Sequence, residues 1–114
     1  MIEAKAHARY VRVSPKKLRR IAEQLKGKNV VEATSILKFL PSKGALYLLK
    51  AINSAASNLK EAQKPDTVNE EDLLVSYIRI DEGPTFRRWR PRAMGRIAII
   101  RKRTSHISVS IKKV

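Results

Sequence analysis

The chain has 114 residues, 43% of them apolar and 31% charged, and its 25 Lys and Arg outnumber 10 Asp and Glu for a formal net charge of +15. That length suits one modest core, and so large a positive excess calls for an anionic partner, most commonly nucleic acid, whose phosphates exchange condensed counterions for Lys and Arg. The absence of cysteine excludes disulfides, thiolate metal sites and a cysteine nucleophile, while the lack of an apolar run near ~20 residues and the charged opening MIEAKAHARY lead us to expect a cytoplasmic protein with no membrane partner.

In chain order, residues 2–13 read as a strand, with Ala and Val interleaved with Lys5, His7, Arg9 and Arg12. Ser14-Pro15 then starts a helix: a hydroxyl cap precedes a proline at the first helical position, where its missing N–H costs nothing. Leu18, Ile21, Ala22 and Leu25 form the apolar stripe of that helix; Lys16, Lys17, Arg19, Arg20 and Lys26 lie outside it, and Gly27 is placed to end it. A second helix is expected from Asn29, with Glu32 at the capping-box position and a stripe of Val30, Ala33, Leu37 and Leu40, closed by Pro41. Ser42 caps the third, in which Ala45, Leu48, Leu49, Ile52, Ala55, Ala56 and Leu59 keep helical spacing. Such stripes read as core, because amphipathic helices bury their apolar face.

After a polar linker from Lys64 to Asp72 the period changes to two. Leu74, Ser76, Ile78 and Ile80 are expected on one face of a strand, with Val75, Tyr77, Arg79 and Asp81 on the other. A last strand follows from Ile107, Val109 and Ile111 alternating with Ser108, Ser110 and Lys112. The fold class predicted is α+β: three helices packed on a three-stranded antiparallel sheet.

Residues 83–101, GPTFRRWRPRAMGRIAIIR, do not fit a core. They join two strands over far more than an ordinary hairpin loop, and Pro91-Arg92-Ala93-Met94-Gly95 offers a turn near the middle. A long protruding β-hairpin is expected, with arms leaving the sheet near Glu82, returning near Ile97 and reaching roughly 30 Å. The whole chain is read as one RNA-binding domain, with a globular part over about 1–82 and 98–114 and the hairpin over about 83–97. From Gly83 to Val114 there are ten Lys or Arg and no acid. A two-stranded ribbon alone in water is marginal, and self-repulsion makes this one worse, so phosphates are expected around it. Arg87, Arg88, Arg90, Arg92, Arg96, Arg101, Lys102 and Arg103 are the candidate phosphate ligands. Phe86 and Trp89 are placed to stack on bases or sugars, and His106 to bond locally or to a phosphate. Arg9, Arg12, Lys16, Lys17 and Arg20 form a second candidate RNA surface.

ARYVRVSPKK at 8–17, IDEGP at 80–84, RPRAMGR at 90–96 and KRTSHI at 102–107 together make the chain resemble the large-subunit ribosomal protein L-twenty-two family over essentially its whole length. The resemblance implies binding to large-subunit ribosomal RNA, support of its assembly, contact with neighbouring large-subunit proteins, and a hairpin along the nascent-polypeptide exit tunnel. The tip would comprise Pro91, Arg92, Ala93, Met94, Gly95 and Arg96, with Phe86, Arg87 and Arg88 on the arm. Trp89 and Met94 depart from the residues most of that family places there.

No catalytic, metal or cofactor site is expected. Gly27-Lys28 lacks the rest of a phosphate loop, since Ala22 and Asn29 stand where Gly and Ser or Thr are needed. His7 and His106 have no partner at ligand spacing, and Glu70, Glu71 and Asp72 read as a solvated acidic turn. Asp81 and Glu82 are expected to pair with an arginine at the hairpin root. The competing reading is a DNA-bending protein with a proline-tipped arm, which normally needs a two-fold dimer; the RNA reading expects no homo-oligomer. An enzyme ranks third, for want of an assembled acid, base or metal site.

Overall fold

Three helices cover one face of a three-stranded antiparallel sheet, and a separate two-stranded ribbon extends from it; the computed structural model describes residues 3–62, 70–91, 93–95 and 97–113. This is the α+β architecture expected. The elements are β1 (Glu3–Val11), α1 (Pro15–Glu23), α2 (Val30–Phe39), α3 (Lys43–Ala62), β2 (Leu73–Glu82), β3 (Phe86–Pro91), β4 (Ile97–Lys102) and β5 (Ser105–Lys113). The sheet runs β1-β5-β2, so the last strand lies in the centre.

The helix starts follow the sequence signals. Ser14 Oγ accepts from the Lys17 N–H at 3.4 Å, Asn29 Oδ1 from that of Glu32 at 2.7 Å, and Ser42 Oγ from that of Ala45 at 3.2 Å. Each bond satisfies one of the orphan donors of a first turn, worth about 1 kcal/mol. Gly27 does not end α1, which stops at Glu23. The chain then tightens through three-residue bonds, Gln24 N–H to the Ile21 carbonyl and Leu25 N–H to that of Ala22. Gly27, at φ +74°, turns it toward α2.

Leu48, Ile52, Ala55 and Leu59 of α3 are fully buried, as are Leu18 and Leu25 around α1 and Ala33 of α2. Their counterparts across the interface are Ile107, Val109 and Ile111 of β5. Removing one such leucine would leave a cavity costing about 2–5 kcal/mol.

The facing of β2 needs correction. Leu73 and Val75 point into the core together with Ile78 and Ile80, whereas Leu74 and Ser76 are only half-buried. The cause is a bulge: Val75 pairs with Ile111 but Tyr77 with Ser110, so Ser76 is an extra residue. One inserted residue reverses the alternation, and the strict period read from the sequence fails there. On the outer side of β2, the Val75 N–H donates to the Lys28 carbonyl at 2.9 Å and Asn29 bridges Leu74.

In the ribbon, Phe86 pairs with Lys102 and Pro91 with Ile97, six residues on each arm. The molecule measures 65 × 24 × 17 Å, and its radius of gyration of 17.3 Å exceeds the roughly 13 Å of a compact chain near this size. At the tip, Met94 (φ +64°) and Gly95 (φ +71°) are both left-handed, and Met94 is 98% exposed. The expected tip and phosphate residues Arg92 and Arg96 lie outside the described residues, as do the linker positions 63–69 and the side chains of Arg90 and Ala93.

Candidate nucleic-acid interface

Positive charges concentrate where the ribbon joins the globular part. A groove of about 860 Å³ opens there between one side of α1, the start of α3 and the base of the ribbon. Arg12, Lys17, Arg20, Lys43, Arg101, Lys102 and Arg103 line it, and no acid does among the described residues. Its apolar lining comes from Val13, half-buried Ile21 and Leu40, and Phe86.

The local packing explains this convergence. Ser105 Oγ donates to the Val13 carbonyl at 2.6 Å, tying the base of the ribbon to the β1–α1 turn. α3 approaches α1 closely because Gly44 has no side chain; a β-carbon there would lie 3.1 Å from Leu18 Cδ2 and 3.3 Å from Ile21 Cδ1. Two basic clusters separated by some eighty residues of sequence thus share one groove.

Lys43 is a groove residue that the sequence reading missed. A signal was available. Lys17 and Lys43 both occupy first helical turns, and neither turn contains an acid. Cations there oppose the helix dipole, so they weaken the helices that carry them and point to an external anion.

Not every cation on α1 is free for such a role. The Arg19 guanidinium donates to the Ile80 carbonyl at 2.9 Å, which fastens α1 to β2. Lys16 is exposed but does not line the groove. Arg87, Arg88 and Trp89 are exposed along β3, and Arg87 stands opposite Arg101 in the ribbon register. Like charges facing each other across a strand pair are destabilising.

Arg9 and His106 lie elsewhere, in a cleft of about 290 Å³ with His7, Tyr10, Arg79, Asp81, Ile107 and Ser108. His106 has a structural partner, its Nδ1 accepting the Tyr10 N–H at 3.1 Å. Asp81 pairs with Arg79 at 3.1 Å, on its own strand and three residues before Glu82, where the arm leaves the sheet. Both groups are largely exposed, so that pair contributes at most about 1 kcal/mol. No group of three or more potential metal ligands occurs among the described residues, and no helix among them is long and apolar enough to cross a membrane.

Comparison with known proteins decides the family. The family model described as "Ribosomal protein L22p/L17e" matches residues 6–112. The chain belongs to this family. Among similar proteins, the large ribosomal subunit protein uL22 of Maridesulfovibrio salexigens is 50% identical over 113 residues, covering 99% of this chain and 100% of its own. That of Clostridioides difficile is 48% identical over 112 residues, 98% of each chain, and that of Desulforamulus reducens 46% over 110 residues, 96% of this chain and 95% of its own. An L22p/L17e protein is a structural constituent of the large ribosomal subunit, cytoplasmic in bacteria, and not an enzyme.

Proposed function

We propose that this L22p/L17e chain binds large-subunit ribosomal RNA, supports its assembly, and lines the nascent-polypeptide exit tunnel with its hairpin. The observation that carries the reading is the Arg87–Arg101 pairing. A ribbon that sets two guanidiniums opposite each other and carries no acid is held straight by surrounding phosphate rather than by its own contacts.

In this reading the division of labour follows the fold. The globular part, about residues 1–82 and 98–114, anchors the protein through the groove, where Arg12, Lys17, Arg20, Arg101, Lys102 and Arg103 hold phosphates. Most of those contacts position the RNA rather than read its sequence. The hairpin, about 83–97, presents Arg87, Arg88, Trp89, Arg90, Arg92 and Arg96 to the tunnel wall and the Pro91–Arg96 tip to the nascent chain. Lys16 and Arg9 add contacts outside the groove, and neighbouring large-subunit proteins complete the surroundings. The protein acts as a monomer without a cofactor.

Two measurements test this. Large-subunit ribosomal RNA should bind the isolated protein tightly and resist competition by duplex DNA; equal competition by DNA from a dimeric protein would favour the DNA-bending alternative instead. A photo-crosslinker at position 94, in ribosomes carrying an arrested nascent chain, should label that chain. Labelling confined to other proteins would overturn the tunnel assignment.

A further inference from the structure

Among the described residues the helices lie on one face of the sheet, and its opposite face carries a feature the groove does not use. In β1 the pairing with β5 is irregular between Ala8 and Val11. Within that irregularity Tyr10 adopts φ +57°, a conformation disfavoured for a bulky non-glycine residue. Its N–H donates to His106 Nδ1 at 3.1 Å, and its ring meets the imidazole edge-on, with centroids 5.0 Å apart and planes at 90°. Accepting at Nδ1 places the proton of a neutral His106 on Nε2. The backbone strain does not serve the core, because Tyr10 remains 63% exposed.

Strain sustained without burial in return is characteristic of recognition positions. Here it fixes an aromatic plane at the mouth of a small cleft. A T-shaped partner covers at most one face of one ring, so the exposed Tyr10 can accept a second plane. Beside it, Arg9 has no ion pair among the described residues, whereas Arg79 is matched by Asp81. The floor is polar: His7 Nδ1 and Ser108 Oγ are hydrogen-bonded at 3.0 Å. An apolar peptide side chain would find little to bury against there. A planar base with polar edges and an attached phosphate suits the ring, the floor and the free cation together.

We propose that this cleft is a second RNA site, which takes one unpaired nucleobase stacked on Tyr10 with its phosphate at Arg9. The site rests on the RNA-binding reading and adds to it a base-dependent contact on the sheet face away from the helices. Its volume of about 290 Å³ lies at the lower edge of the range for drug-sized ligands, room for one base but not for a stack.

The test uses the full chain and three RNAs: a duplex with one bulged 2-aminopurine, the same duplex with an abasic bulge, and the duplex without a bulge. The wild type should quench the 2-aminopurine and prefer it over the abasic RNA by about tenfold, the scale of one base–aromatic stack. Tyr10→Asn removes the ring while suiting the left-handed backbone, so its thermal transition should be retained. It should lose both quenching and preference yet bind the unbulged duplex as before. Tyr10→Phe should keep both. If Tyr10→Asn keeps the full preference, the base is held elsewhere and the proposal fails, while RNA binding stands. If the wild type binds all three RNAs equally, the cleft is base-independent and the proposal fails alone; if it binds none, both readings fall. Tight binding of an oligoglutamate peptide, lost in Tyr10→Asn while the bulged base is ignored, would assign the cleft to an acidic protein segment and overturn it.

Discussion

Gly83 lies directly against Thr104 where the ribbon leaves the sheet. Its N–H donates to the Thr104 carbonyl at 2.9 Å, and a β-carbon on Gly83 would come within 2.5 Å of Thr104 Oγ1 and 3.3 Å of His106 Nε2. Thr104 Oγ1 in turn donates to the Pro84 carbonyl at 2.6 Å. The IDEGP and KRTSHI segments are therefore the two halves of one clasp at the hairpin root. Gly83→Ala should push these strands apart and cost about 1–3 kcal/mol, the usual penalty for an added methyl in a filled space. A chemical denaturation midpoint equal to that of the wild type would show that the clasp is looser than this geometry.

The clasp also predicts what the ribbon can lose. β3 and β4 pair with each other and not with the three-stranded sheet, and the core residues lie in the helices and that sheet. Replacing residues 87–101 by a short Gly-Ser turn should leave a cooperative thermal transition, because Gly83 and Thr104 still close the root. Loss of that transition would mean that the globular part draws stability from the ribbon.

Arg19 and Arg20 are adjacent on α1 but should report on different properties. Arg19 bonds the Ile80 carbonyl, so Arg19→Ala should lower the melting temperature, costing about 1–3 kcal/mol, and leave the salt dependence of RNA binding unchanged. Arg20 lines the groove. Arg20→Ala should flatten the plot of log affinity against log salt by about one unit and leave folding intact. Filter binding between low and moderate salt, with a parallel melt of each variant, checks both.

Two buried serines of β5 offer a second contrast. Ser105 Oγ donates to the Val13 carbonyl, whereas Ser110 Oγ has no hydrogen-bond partner among the described residues. Ser105→Ala should destabilise by about 1 kcal/mol, because it removes the donor of a part-buried carbonyl. Ser110→Ala deletes a buried hydroxyl that gains nothing, so it should be neutral or slightly stabilising. Equal losses for the two in urea melts would contradict the assignment of their partners.

Groove variants separate neighbours on α1 in the same way. Lys17→Ala and Lys43→Ala should each reduce the salt slope by about one unit, and also stabilise their helices slightly by removing a cation from a first turn. Lys16→Ala, outside the groove, should change the slope less. A slope unaffected by Lys43→Ala would show that α3 does not contribute to the RNA surface.

The helices, their caps and the cationic ribbon were legible in the amino-acid order alone, because each depends on local rules. Ser14, Asn29 and Ser42 cap by bonding backbone three residues on, and the stripe of α3 needs only a helical period to be read. The acid-free run after Gly83 is likewise visible without a fold. Tertiary structure decided the rest. The bulge at Ser76 follows from how β2 must register with β5, a partner thirty residues away, and no local period encodes it. Lys43 joins Arg12 and Arg103 only because Gly44 lets α3 settle on α1. Tyr10 is an ordinary strand residue in the chain's own order and becomes a strained, exposed ring only against His106. Caps and stripes are interactions between near neighbours, which the order of residues sets directly; a groove or a clasp joins distant segments, and only packing of the whole core fixes their separation.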